Sequence, residues 1–125
     1  MDKVVHFEIP ADDIERAQNF YKNIFQWDVN FVPEFSYVIV HTTETDENQM
    51  ILEKGAINGG MMKRGLIKNP VITIQVDNID QSLAQIEQAG GKQIGQKQQV
   101  GDMGFSAYFQ DTEGNILGLW ENIKK

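Results

Sequence analysis

The stretch HFEIPADDIERAQNFYKNIF, residues 6–25, has a counterpart 65 positions later in VITIQVDNIDQSLAQIEQAG, residues 71–90. In both stretches a short run with alternating apolar residues leads through a polar turn into apolar residues at helical spacing. Ile14 in the first stretch aligns with Ile79 in the second. The pattern predicts a strand followed by an amphipathic helix, and the chain contains this unit twice.

The repeat extends beyond these two stretches. A slightly longer shift aligns Phe35 with Phe105. We therefore expect a single α+β domain over residues 1–125, made of two βαβββ modules, 1–65 and 66–125, that form a curved mixed sheet around a cavity. A module of about 60 residues is marginal on its own and needs a partner with which to share a sheet or core.

The predicted elements follow from composition and periodicity. Strands are expected at 3–9, 26–32, 35–43, within 49–62, and at 71–76, 92–99, 104–110 and 116–122. The first helix should begin after Asp12 or Asp13 and end near residue 25, and the second should end at the glycines of AGG, residues 89–91.

Composition excludes several classes of function. With 11 Lys+Arg against 18 Asp+Glu, the net charge of −7 repels nucleic acid and anionic membrane surfaces. The absence of cysteine excludes thiolate chemistry, disulfides and zinc–thiolate sites. No segment reaches the roughly 18 apolar residues that span a membrane, and the N-terminus lacks the pattern of a signal peptide. These features predict a soluble cytoplasmic protein that binds neither nucleic acid nor membranes.

Strand alternation separates the polar side chains from the helix-facing ones. Phe7 and Ile9 share the face that the first helix must cover, so His6 and Glu8 point to the other side of the sheet. The same parity places Thr73 on that side of the repeated strand.

In the last strand, Leu117 and Leu119 take one face and Gly118 and Trp120 the other. A sheet face lined with His, Glu, Thr and Trp is typical of a small-molecule cavity.

The ordered motifs resemble the vicinal oxygen chelate superfamily. They are His6 fourteen residues before Phe20, then INGGMM at 57–62, and DTEGNILGLWE at 111–121, within paired βαβββ modules. The superfamily includes lactoylglutathione lyase (glyoxalase I), bleomycin-resistance proteins, extradiol dioxygenases and fosfomycin-resistance enzymes. The resemblance covers essentially the whole chain and is closest to a glyoxalase-like bacterial branch.

In metal-dependent members, the resemblance implies four metal ligands, one from each of four strands. His6 occupies the first ligand position, but the corresponding positions hold Val71, Gly118, and Gly59 or Gly60. Because glycine and valine offer no side-chain ligand, we expect no metal and no other cofactor.

Three roles remain open for His6: a cavity histidine hydrogen-bonded to Glu8 or to backbone, a metal ligand, or a residue that contacts a ligand or acts in catalysis without a metal. His41 is expected to be a surface or strand-end residue. The predicted ligand-binding residues lie on the strand face away from the helices, with Phe105 added from its place in the repeat: His6, Glu8, Thr73, Phe105, Gly118 and Trp120. Gly118 is expected to leave open volume for a ligand.

Two functions compete. One is a metal-free protein that binds a small organic molecule, as bleomycin-resistance proteins do. The other is a lyase or isomerase acting on a small oxygen-rich metabolite, with His6 and Glu8 as catalytic candidates. Classical glyoxalase I activity is not expected, because that chemistry needs the metal. Members of the superfamily commonly dimerise, so a homodimer with an isologous interface is expected.

Overall fold

The computed structural model describes residues 1–123 and contains two βαβββ modules. The first comprises β1 (Lys3–Ala11), α1 (Ile14–Phe25), β2 (Asp28–Val32), β3 (Tyr37–His41) and β4 (Asn58–Lys63). The second comprises β5 (Val71–Gln75), α2 (Ile79–Gln88), β6 (Lys92–Val100), β7 (Gly104–Gln110) and β8 (Ile116–Asn122). The α+β class is confirmed. Within residues 1–123, neither helix is long and apolar enough to cross a membrane.

The chain forms two compact units, one of His6–Pro70 and one of Met1–Val5 with the chain from Val71 onward. In the first unit the strand order is β2-β3-β4-β1, with β1 and β4 parallel and the other pairs antiparallel. In the second the order is β5-β8-β7-β6, with β5 and β8 parallel and the other pairs antiparallel. Each unit therefore repeats one mixed-sheet topology, as the internal repeat predicts.

The first helix begins and ends at residues suited to those positions. The carboxylate of Asp13 accepts the Arg16 N–H at 3.0 Å, and Gln26 closes the helix with a left-handed φ of 57°. Beneath it, β3 and β4 supply a fully buried apolar centre, against which Phe7 and Ile9 of β1 pack. The predicted alternation in β1 is therefore confirmed for Phe7 and Ile9.

The second helix packs on the second module's strands in the same way. Ile79 and Leu83 of α2 meet Ala107 of β7 and Leu119 of β8 in a buried cluster. Glu121 Oε1 accepts the Ile79 N–H at 2.8 Å, at the first turn of α2. This contact places the Glu121 carboxylate on the helix side of its strand, which agrees with its sequence parity.

Candidate functional site

A hydrogen-bonded trio occupies the strand face of the first module that lies away from α1. His6 Nε2 is 2.9 Å from the Tyr37 hydroxyl, which donates to Glu8 Oε2 at 2.8 Å. His6 and Glu8 lie two residues apart on β1, and Tyr37 reaches them from β3. The expected pairing of His6 with Glu8 is therefore mediated by a third residue.

Tyr37 is not among the site residues that the sequence predicts. Its parity opposite the buried Val38 and Val40 places it on the same face as His6. Sequence alone does not give the order β3-β4-β1 or the register of its pairs, and these decide which β3 residue faces His6.

The direction of these hydrogen bonds defines the state of the imidazole. A carboxylate can only accept, so the single phenolic proton of Tyr37 goes to Glu8. Tyr37 must then accept from His6, which assigns the proton to Nε2 and leaves the Nδ1 lone pair available.

Two opposing effects act on the pKa of His6. Burial lowers this pKa below its ordinary value, because the charged imidazolium loses hydration, and the negative charge of Glu8 partly offsets the effect. The neutral, Nε2-protonated imidazole is therefore favoured near neutral pH.

The register of β1 with β4 decides which glycine, Gly59 or Gly60, corresponds to the metal-ligand position that the resemblance implies. Glu8 pairs with Gly60, as Thr73 pairs with Gly118 in the second module, and Glu8 and Thr73 are equivalent in the repeat. A Cβ on Gly59 would lie 2.6 Å from the Phe7 ring, on the helix side. Gly60 is therefore the counterpart of Gly118.

Gly60 leaves no vacancy on this face. A Cβ built there would overlap the Tyr37 hydroxyl and ring. In the first module, a phenol therefore fills the space in which the resemblance implies a metal-binding side chain.

Three of the predicted ligand-binding residues share one face of the second module. Thr73 pairs with Gly118 in parallel, and Trp120 lies two residues further along β8. The Trp120 indole N–H donates to Asn122 Oδ1 at 2.7 Å. The indole lies over Gly104, where a Cβ would come within 2.5 Å of the ring.

The expectation of open volume at Gly118 is wrong. A Cβ there would lie 2.7 Å from Thr73 Oγ1, because the threonine side chain leans over the glycine. A large residue at position 118 would displace Thr73 as well as any ligand.

Phe105 does not share this face. It packs against the buried cluster beneath α2, with Lys97 Nζ 4.8 Å from its ring centroid. Its β7 neighbour Ser106 pairs with Trp120 and Tyr108 pairs with Gly118, so these two occupy the face expected for Phe105. The alignment of the repeats predicted the position of the strand correctly, but it assigned Phe105 to the wrong face of that strand.

The donor set does not fit a divalent metal. Of the four ligand positions that the resemblance implies, only His6 carries a ligating group, and its Nε2 is hydrogen-bonded to Tyr37. Among residues 1–123 no group of three or more His, Cys, Asp or Glu side chains is placed to hold a metal ion.

His41 lies at the end of β3, as expected. Its Nδ1 is the one buried side-chain nitrogen or oxygen without a hydrogen-bond partner within the described part of the chain. A shallow depression follows this strand end, lined by Thr42, Thr43, Glu44, Leu52 and Glu53.

Comparisons with known proteins agree with this architecture. Residues 3–43 match the family model described as bleomycin resistance protein-like N-terminal. Methylmalonyl-CoA epimerase of Streptomyces coelicolor, solved as a variant with 2-nitronate-propionyl-CoA, superposes with a TM-score of 0.68 at 12% identity, covering 98% of each chain. No curated protein sequence matches the chain.

Two further solved structures share the fold. A hypothetical protein from Bacillus halodurans gives a TM-score of 0.64 at 14% identity, covering 99% of this chain and 96% of that one. A methylmalonyl-CoA epimerase bound to methylmalonyl-CoA and NH4+ gives 0.64 at 13% identity, covering 98% and 95%.

The chain thus shares the fold of methylmalonyl-CoA epimerase. This shared fold and the bleomycin-resistance-like match over residues 3–43 agree with the resemblance to the vicinal oxygen chelate superfamily.

Proposed function

We propose that the chain binds a small organic molecule, without a metal ion, against the polar strand face of its first module. The observation that carries this proposal is the Tyr37 hydroxyl between His6 and Glu8. One hydroxyl fixes both side chains, so the face presents a preorganised imidazole edge to a ligand. Preorganised polar groups of this kind orient a small molecule and lower the cost of ordering the site on binding.

The proposed independence of metal rests on the donor set. Val71, Gly60 and Gly118 supply no side-chain ligand, and the phenol of Tyr37 fills the space above Gly60. A single imidazole already engaged through Nε2 does not provide a stable site for a divalent ion.

In the second module we propose Thr73 and Trp120 as further ligand contacts; Gly118 is left out because the Thr73 side chain leans over it. The two proposed contacts share one strand face, on which Thr73 offers a hydroxyl and Trp120 an aromatic surface. Their role is tested separately from that of the first module, by Trp120→Leu. Phe105 is excluded from this proposal because it packs beneath α2.

A second candidate function is a metal-free lyase or isomerase. The observation that favours it is the imidazole itself, which is neutral near pH 7 and carries a free lone pair on Nδ1. Such a group can accept a proton as a general base, with Glu8 stabilising the resulting imidazolium through Tyr37. The two epimerases that share the fold support this alternative at the level of reaction type.

A thermal-shift screen against small aromatic and oxygen-rich metabolites tests the binding proposal. A compound that stabilises the wild type should lose this effect with His6→Ala. Tyr21→Phe is the matched control, because Tyr21 stacks on Trp27 on the helix side of the first module. Equal responses of wild type and His6→Ala to a confirmed ligand would contradict the proposed site. Chemical conversion of the bound compound, lost with His6→Ala, would favour the enzyme.

We also propose that the chain forms an isologous homodimer. The resemblance supports this, since superfamily members commonly dimerise. Phe20, Ile24 and Phe25 of α1 are each more than half exposed and provide apolar surface for such a contact. Light scattering should give twice the 14.2 kDa chain mass at tens of micromolar, and a mass of one chain would contradict the proposal.

A further inference from the structure

The hydrogen bonds around Tyr37 have a definite direction, which leaves His6 Nδ1 as an acceptor. We propose that His6 Nδ1 accepts a hydrogen bond from the ligand. The face then selects molecules that present a hydroxyl or N–H group and rejects those that present only a carbonyl or carboxylate oxygen. This inference rests on the proposed function and specifies what the site would bind.

The polarity of the trio starts at the carboxylate. Glu8 receives the only proton of the Tyr37 hydroxyl, so the phenol oxygen is left as an acceptor for His6 Nε2–H. A neutral imidazole has one N–H, and this N–H is used. Nδ1 therefore offers a lone pair and no proton.

His6 Nδ1 is also accessible. It makes no hydrogen bond within residues 1–123, yet the buried side-chain atoms without partners in that range include only His41 Nδ1. Nδ1 therefore reaches solvent, and a ligand's donor can replace the water that would otherwise bond to it. An oxygen that can only accept would face the lone pair without a proton between them, and the polar contact would be lost.

Charge acts in the same direction. The Glu8 carboxylate lies one hydroxyl away from His6, so an anionic ligand would approach a negatively charged network. Protonation of His6 would turn Nδ1 into a donor, but burial lowers the pKa of this imidazole and opposes protonation near neutral pH.

Tyr37 acts here as a positioning residue, since it fixes which nitrogen carries the proton. Tyr37→Phe keeps the ring but removes the acceptor that holds the proton on Nε2. The imidazole can then shift its proton to Nδ1 and donate, so this variant should lose the selectivity for donors. Tyr21→Phe removes a hydroxyl on the helix side and should leave the selectivity unchanged.

The test uses two neutral probes with one carbon skeleton, 1-phenylethanol as the donor and acetophenone as the acceptor-only compound. In 15N-labelled protein at neutral pH, the ring nitrogens of His6 report the tautomer directly, and titration of each probe gives its dissociation constant. Wild type should carry the proton on Nε2 and bind the alcohol about tenfold or more tightly than the ketone. In Tyr37→Phe the two constants should differ by less than about threefold, while Tyr21→Phe keeps the wild-type ratio.

Different outcomes overturn different claims. A proton on Nδ1 of wild-type His6 would overturn the ligand class, and this measurement needs no variant. Equal binding of alcohol and ketone at His6 would also overturn the class but leave the proposed binding site intact. If neither probe affects the His6 resonances at saturating concentration, the inference that His6 Nδ1 accepts a hydrogen bond from a ligand is contradicted. The metabolite screen with His6→Ala then decides independently whether the binding function fails too.

Discussion

The hydroxyl of Tyr37 fills the space into which a side chain at Gly60 would extend. Gly60 of β4 pairs with Glu8 of β1. The Tyr37 hydroxyl therefore both fills the space above Gly60 and donates a hydrogen bond to the carboxylate of Glu8. The glycine is therefore required by the tyrosine, and the polar trio depends on both.

Gly60→Ala should destabilise the protein by about 1–3 kcal/mol, because the added methyl group overlaps the Tyr37 ring. Chemical denaturation of the wild type and variant measures this loss. Gly65→Ala is the matched control, since nothing lies within 4 Å of a Cβ at that glycine.

In a Tyr37→Leu background, Gly60→Ala should lower the free energy of unfolding by measurably less, because the ring that the methyl group overlaps is absent. A double-mutant cycle isolates this coupling. Strictly additive losses would show that residues 37 and 60 do not compete for space.

Much of the fold followed from the sequence, and the reason is periodicity. The 65-residue repeat predicted two βαβββ modules, and alternation placed Phe7 and Ile9 toward the helix, as found. Strand limits were less accurate around Tyr37, where a 3-10 turn at Pro33–Phe35 delays the start of β3. Such turns depend on local backbone geometry that a hydropathy pattern does not encode.

The candidate site was predicted less completely. His6 and Glu8 were recognised from parity, but Tyr37 required the strand order, and Phe105 was placed on the wrong face. The expected contribution of Gly118 failed because the Thr73 side chain leans over it. Metal independence, a cytoplasmic location and the ligand contacts stay predictions.

Glu8→Gln should lower the pKa of His6 further. The carboxylate favours the imidazolium through its charge, while burial already disfavours it. Removing the charge leaves burial unopposed, so the variant should begin to protonate His6 only at more acid pH than the wild type. NMR titration of the ring protons measures this, and Glu15→Gln, on the exposed side of α1, is the control. An unchanged or raised pKa would contradict the electrostatic role of Glu8.

Glu121→Ala should destabilise the second module by about 1 kcal/mol, because the Ile79 N–H at the first turn of α2 loses its acceptor. Glu121→Gln keeps an oxygen at the same position of the side chain. It should therefore lower the free energy of unfolding by less than Glu121→Ala does. Urea unfolding of the two variants compares them directly. An equal loss for alanine and glutamine would show that the hydrogen bond contributes nothing.

The purified, tag-free protein should hold no stoichiometric Ni²⁺, Zn²⁺ or Fe²⁺, because three of the four family ligand positions are Val71, Gly60 and Gly118. For the same reason it should not isomerise the hemithioacetal of methylglyoxal and glutathione. Elemental analysis and a lyase assay with added metal check the two statements. One tightly held metal per chain, or metal-dependent turnover lost with His6→Ala, would contradict them.

The most direct test of metal-independent binding at the trio is an NMR titration of 1-phenylethanol followed at the ring nitrogens of His6, with an excess of chelator. We expect a saturable shift of the Nδ1 resonance that is the same with and without chelator and is weakened by Tyr37→Phe. A shift that appears only when a divalent metal is added, or binding that leaves both His6 nitrogens unaffected, would contradict it.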